Sequence, residues 1–110
     1  MKQDPAPIYA DTFALTEWLL GRLDGSERLL GREICHDALR LTEAVMFALK
    51  GRSVGERLDE ADERLIALRI KLRLAGSLGL LTEEQLVFAF QACDAIGRQL
   101  GGWLRSVGPS

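Results

Sequence analysis

Apolar residues recur at three- and four-residue spacing along most of this chain, and the only prolines are Pro5, Pro7 and Pro109. That is the period of an amphipathic helix, and nothing between Pro7 and Pro109 forbids one. Glycine and capping residues divide the stretch into four. The first helix is expected over residues 8–23, ended by Asp24-Gly25. The second opens at the cap Ser26 and runs to Lys50, with Gly51 just beyond. Ser53-Val54-Gly55-Glu56 reads as a capping box for a third helix over 53–78, closed by Gly79. Thr82-Glu83-Glu84-Gln85 is a second capping box, opening a helix over 82–106. Helices of about 25 residues, each near 37 Å long at ~1.5 Å per residue, are joined by short loops. Short loops between similar helices imply antiparallel neighbours, so the pattern predicts one all-α domain over residues 1–110, an up-down-up-down four-helix bundle.

Helix 3 has two apolar stripes where a helix with one core face needs one. Leu65, Leu68 and Leu72 fill one side, and Ile66, Ile70 and Leu74 the other. Cations lie between them: Arg69 and Arg73 on one flank, Arg64 and Lys71 on nearly the opposite flank. The acids Glu56, Asp59, Glu60, Asp62 and Glu63 crowd the first third of the helix. Part of that polarity complements the helix dipole, but Arg69 lies more than two turns from Gly79, beyond the dipole's reach. A second apolar stripe implies a second buried contact, most simply another subunit.

Helix 4 carries Gly97, Gly101 and Gly102, each costing roughly 1 kcal/mol relative to Ala inside a helix. Gly97 and Gly101 are four apart and share a face. Close packing is expected there, with Trp103 beside it and Arg98 and Arg105, seven apart, nearby.

The chain has 110 residues, 47% of them hydrophobic, which excludes a disordered class and is enough for a core. No apolar run approaches a membrane span, and Met1-Lys2-Gln3-Asp4-Pro5 does not begin a signal peptide, so a cytoplasmic, non-membrane protein is expected. The two cysteines, Cys35 and Cys93, read as small buried hydrophobes. His36 is the only histidine, which leaves no ligand set for a metal and no acid–base cluster with Asp37 or Glu33. No Gly-rich phosphate loop is present. Neither an enzyme nor a cofactor is expected. The net charge of −2 argues against a generic nucleic-acid binder, so any such role must come from a local patch. A ring of subunits could build one by repeating its arginines, whose planar fork suits phosphate.

Two segments, Leu68-Arg69-Ile70-Lys71-Leu72-Arg73-Leu74-Ala75-Gly76 and Ile96-Gly97-Arg98-Gln99-Leu100-Gly101-Gly102-Trp103-Leu104, resemble the helix 3 and helix 4 signatures of the accessory variability determinant (Avd) family of diversity-generating retroelements. The likeness extends in helix order and length over residues 9–107. It implies a four-helix bundle assembled as a pentameric barrel. It also implies a reverse transcriptase partner and binding of template-repeat RNA, or DNA, as a non-enzymatic cofactor of mutagenic retrohoming. Arg69 and Arg73 match the paired arginines of the first signature, and Arg98 the arginine of the second.

Arg69, Arg73 and Arg98, with Lys71, Arg64 and Arg105, are therefore the candidate nucleic-acid or polymerase contacts. Arg69 and Arg73 could equally form intersubunit ion pairs with the acidic start of helix 3. Gly97, Gly101 and Trp103 are the candidate packing residues, in the bundle or between subunits. Trp18 and Trp103 read as anchors rather than base-stacking platforms. The alternative function is a structural bundle that scaffolds protein partners and touches no nucleic acid.

Overall fold

The computed structural model describes residues 7–107. They form four helices, α1 (Pro7–Leu23), α2 (Leu29–Leu49), α3 (Val54–Ser77) and α4 (Glu83–Val107), with no strand among the described residues. α1 packs on α2 and α4, and α3 packs on α2 and α4. The helices thus make a closed circuit, a four-helix bundle in which α1 and α3 occupy opposite corners. The expected helices are all present, with one clear shift: α2 begins at Leu29 rather than at Ser26. The Ser26 hydroxyl accepts the amide of Arg28 at 3.1 Å, so it closes a local turn instead of capping a helix. Arg28 takes the extended cap position without a side-chain cap bond.

The two capping boxes have different fates. At α4 both halves form: the Gln85 amide donates to Thr82 Oγ1 at 3.1 Å, and the Thr82 amide donates to Gln85 Oε1 at 2.9 Å. At α3 neither does, which corrects the sequence expectation. Ser53 sits at φ 48, in the left-handed region, and makes no side-chain cap bond. A capping serine needs extended backbone to aim its hydroxyl at the first turn. Here the tight return from α2 uses Gly51 (φ 79) and Ser53 in succession.

The helix ends are well closed. Leu80 donates to the Ala75 carbonyl at 2.8 Å and Gly79 to Gly76 at 3.2 Å, which is the Schellman pattern with Gly79 at φ 80. α2 ends the same way, with Arg52 bonded to Phe47 and Gly51 to Ala48, both at 3.0 Å. Between α3 and α4, Gly76 faces Leu86 so closely that a Cβ there would displace the leucine side chain.

Each helix contributes one inward row. On α3 it is Leu58, Ala61, Leu65, Leu68, Leu72 and Ala75, all buried. These meet Ile34, Leu41 and Val45 of α2, Leu15 and Leu19 of α1, and Ile96 and Leu100 of α4 in one cluster. Alanines in those rows let helix axes approach, and the leucines fill the space between. Thr16 and Thr42 hydroxyls lie 2.7 Å apart and share the Ala38 carbonyl, tying α1 to α2. Cys35 and Cys93 are buried free thiols, as their positions in apolar rows implied. Burial pushes the Cys93 thiol up to about 11, outweighing the opposing pull of Arg69, so it stays a protonated, unreactive core group.

The contrast between the two capping boxes is measurable. Thr82→Ala should lower the unfolding free energy by about 1 kcal/mol, whereas Ser53→Ala should cost much less. Urea denaturation of both variants compares them directly.

Candidate functional site

The side chains singled out on α3 separate into two flanks because the inward row fixes the helix rotation. Toward α2, Arg64 Nη1 lies 3.2 Å from Asp37 Oδ1, and Lys71 Nζ lies 2.6 Å from Asp37 Oδ2 and 3.4 Å from Glu33. The Asp37 side chain is only 1% exposed, while Lys71 and Arg64 are 25% and 38% exposed. A carboxylate removed from water is thus satisfied by two cations that keep their outer edges wet. The hydrogen bond from Lys71 to Asp37 raises the lysine above its ordinary 10.5, against a smaller opposing effect of burial. Arg64 and Lys71 are committed to this cross-link.

Toward α4, Arg69 Nη1 pairs with Asp94 Oδ1 at 2.9 Å. Both partners are partly in water, so the pair is weak and exchangeable. One turn on, the Arg73 guanidinium lies 5.6 Å from the Phe90 ring centroid. Arg98 lines a surface groove of about 390 Å3 with Asp62, Leu65, Ile66, Arg69, Asp94 and Gly97. The structure therefore brings Arg69, Arg73 and Arg98 to one α3–α4 seam, and places Arg64 and Lys71 on the other side of α3. Arg105 lies two turns beyond Arg98, folded against its own helix, with Nη1 3.5 Å from where a Gly101 Cβ would stand. Among the described residues Arg73, Arg98 and Arg105 make no salt bridge, which leaves their guanidinium donors available to an anion.

The two packing glycines are unlike. A Cβ on Gly97 would stand 3.5 Å from Leu65 Cδ2 and 3.3 Å from Arg69 Nη2. Its close contact is with α3 of the same chain, and it clears the path for Arg69 to reach Asp94. Gly101 has no other helix within 4 Å of its Cβ position, so the shared face does not make it a second close approach within the chain. Trp103 is half-buried against the core, and so is Trp18, whose ring lies 4.8 Å from Phe88.

Sequence reasoning missed Asp37 as the partner of Arg64 and Lys71. A signal for it existed: Asp37 stands three residues after Ile34 and four before Leu41, in a core register where an acid demands a buried cation. Asp94 and Phe90 gave no such signal, because both occupy unremarkable polar or boundary positions.

A scan against protein-family models, a search of curated proteins and a search of solved structures each found no match to this chain.

Removing Lys71 strands most of a buried charge. Lys71→Met should destabilise the fold by about 3 kcal/mol at neutral pH, read by urea denaturation. The lysine's folded pKa is raised, so its contribution is fully present below 10.5 and is lost as pH rises through the folded value. The gap between the two proteins should accordingly hold from neutral pH to 10.5 and close only as pH rises through the folded value above it.

Proposed function

We propose that this chain is an Avd-type accessory protein. In this reading it is an antiparallel up-down-up-down bundle that assembles into a ring, with a pentamer as the expected size. It acts in the cytoplasm as a non-enzymatic partner of a reverse transcriptase and its template RNA. One observation carries the reading: the two segments that bear the family resemblance, residues 68–76 and 96–104, follow one another along a single α3–α4 seam and meet where a Cβ on Gly97 would stand 3.3 Å from Arg69 Nη2. Arg69 meets Asp94 across that seam beside Gly97, while Arg73 and Arg98 have no carboxylate partner among the described residues. Unspent arginines along one seam suit the phosphates of an extended backbone, and a ring repeats them once per copy.

A specific observation favours the alternative, a protein-scaffolding bundle. Three of the candidate cations, Arg64, Lys71 and Arg69, already hold carboxylates of their own chain. A surface whose charges are neutralised this way suits a protein partner better than a polyanion.

Salt titration separates the two. If phosphate contacts drive binding, affinity for template RNA should fall steeply between about 50 and 200 mM salt. Reversing Arg73 and Arg98 together (R73E/R98E) should weaken RNA binding at least about tenfold and flatten the salt slope by roughly one for each phosphate no longer held. Unchanged RNA binding in that variant, with assembly intact, would remove these arginines from the site. Polymerase binding without a salt slope would favour the scaffold.

A further inference from the structure

The outward row of α3 is not covered by any part of the described chain. Ile66, Ile70 and Leu74 are 53%, 58% and 49% exposed, at four-residue intervals. At 100° per residue they point directly away from Leu65, Leu68 and Leu72. Three large aliphatic side chains form a ridge about 12 Å long at ~1.5 Å per residue. Arg69 and Arg73 border it.

The opposite side of the bundle holds the complementary shape. Tyr9 and Phe13, with ring centroids 5.8 Å apart, stand between two apolar hollows of about 390 and 240 Å3. One is floored by Ala10 and Ala14 and edged by Glu17. The other is walled by Met46 and Phe47 of α2 and edged by Glu43. Phe13 and Phe47 are 48% and 42% exposed. Ala10 and Ala14 repeat at the same four-residue interval as the ridge, so their small side chains offer gaps at the spacing of its knobs.

The ridge lies on α3 and the groove on α1 and α2. α1 and α3 occupy opposite corners, so the two surfaces cannot meet within one chain. We propose that they meet between chains: the Ile66–Ile70–Leu74 ridge of one copy docks into the Tyr9–Phe13–Phe47 groove of the next. Charge fits the same pairing. Glu17 at the groove edge and Arg73 beside the ridge have no salt-bridge partner among the described residues. Such a contact uses two different patches, so it is head-to-tail, and it closes into a ring when the rotation between copies allows. The inference rests on the self-association in the proposed function and not on its nucleic-acid binding.

Head-to-tail docking has a signature that a two-fold contact lacks. Ile70→Glu spoils only the ridge, and Phe13→Glu spoils only the groove. Native mass spectrometry of the wild type should show more than two copies, and each variant alone should be monomeric with wild-type helicity by circular dichroism. An equimolar mixture, one variant 15N-labelled, should form a one-to-one dimer and stop there, because only one intact ridge and one intact groove remain. Leu74→Glu mixed with Ala14→Glu should behave identically. A monomeric wild type, a variant that assembles as the wild type does, or a mixture that stays monomeric would each overturn the inference. A wild-type ring that survives both substitutions would reject these faces and leave the ring itself standing. RNA binding is read in a separate titration and cannot decide this one.

Discussion

Asp37 is the point on which the arrangement of charged and apolar faces turns. Its carboxylate has almost no contact with water, yet it sits on α2 in a row of apolar residues. Taking such a group out of solvent costs several kcal/mol, and it is tolerable only with close partners. Lys71 and Arg64, two turns apart on α3, supply them at 2.6 and 3.2 Å. A slip or rotation of α3 by one residue would leave the carboxylate unpaired. The cross-link therefore selects one register among those that a Leu-rich interface alone would accept. It also decides which row of α3 is inward. With Leu65, Leu68 and Leu72 inside, Ile66, Ile70 and Leu74 must be outside, and Arg69 and Arg73 must lean toward α4.

That rotation gives the α3 cations two different lives. Lys71 and Arg64 lie over the α2 side, where their charged heads reach inward to Asp37. They cannot be withdrawn without exposing a buried acid to nothing. Arg69 holds Asp94 through a wet, exchangeable pair, and a stronger anion could displace the aspartate at little cost. Arg73 rests near an aromatic ring and Arg98 on the rim of the same groove. Only the α4 side of α3 thus has cationic capacity to spare. The spacing of basic residues in the sequence treats all of these cations alike, and the difference arises from what α2 and α4 place opposite them.

The sequence made the helices legible because the apolar period runs unbroken by proline between Pro7 and Pro109, and Gly25, Gly51 and Gly79 mark the turns. The termini show where such reading stops. Ser53-x-x-Glu56 and Thr82-x-x-Gln85 look equivalent in the sequence, but a cap works only if its backbone is extended. The short turn from α2 forces Ser53 left-handed, while the wider turn after Gly79 leaves Thr82 free. The second apolar stripe of α3 was legible as an excess over what one core can use, and it is exposed in the structure. The groove on α1 and α2 was not. Tyr9 and Phe13 showed themselves as one helical face, but Met46 and Phe47 join them only through the packing of two helices. Gly97 and Gly101 share a face, yet only Gly97 has atoms of another helix within 4 Å of its Cβ position.

An exposed row of isoleucine and leucine adds little to the stability of a single chain, because those side chains stay in water whether or not it folds. The same holds for Phe13 and Phe47. Two apolar surfaces on opposite sides of one bundle are expensive to keep soluble and become favourable only when covered. A single covering, by the next copy, would satisfy both at once. It would also change the electrostatics. Docking would engage Arg73 with Glu17, and each added copy would bring another Arg98 of α4 at a spacing fixed by the interface. The acids crowd the start of α3, so fixed repetition could raise a local positive potential elsewhere that the net charge of −2 does not express. In this protein the path from sequence to an anion-binding surface would then run through Asp37, which sets the rotation of α3, and through the ridge that this rotation leaves uncovered.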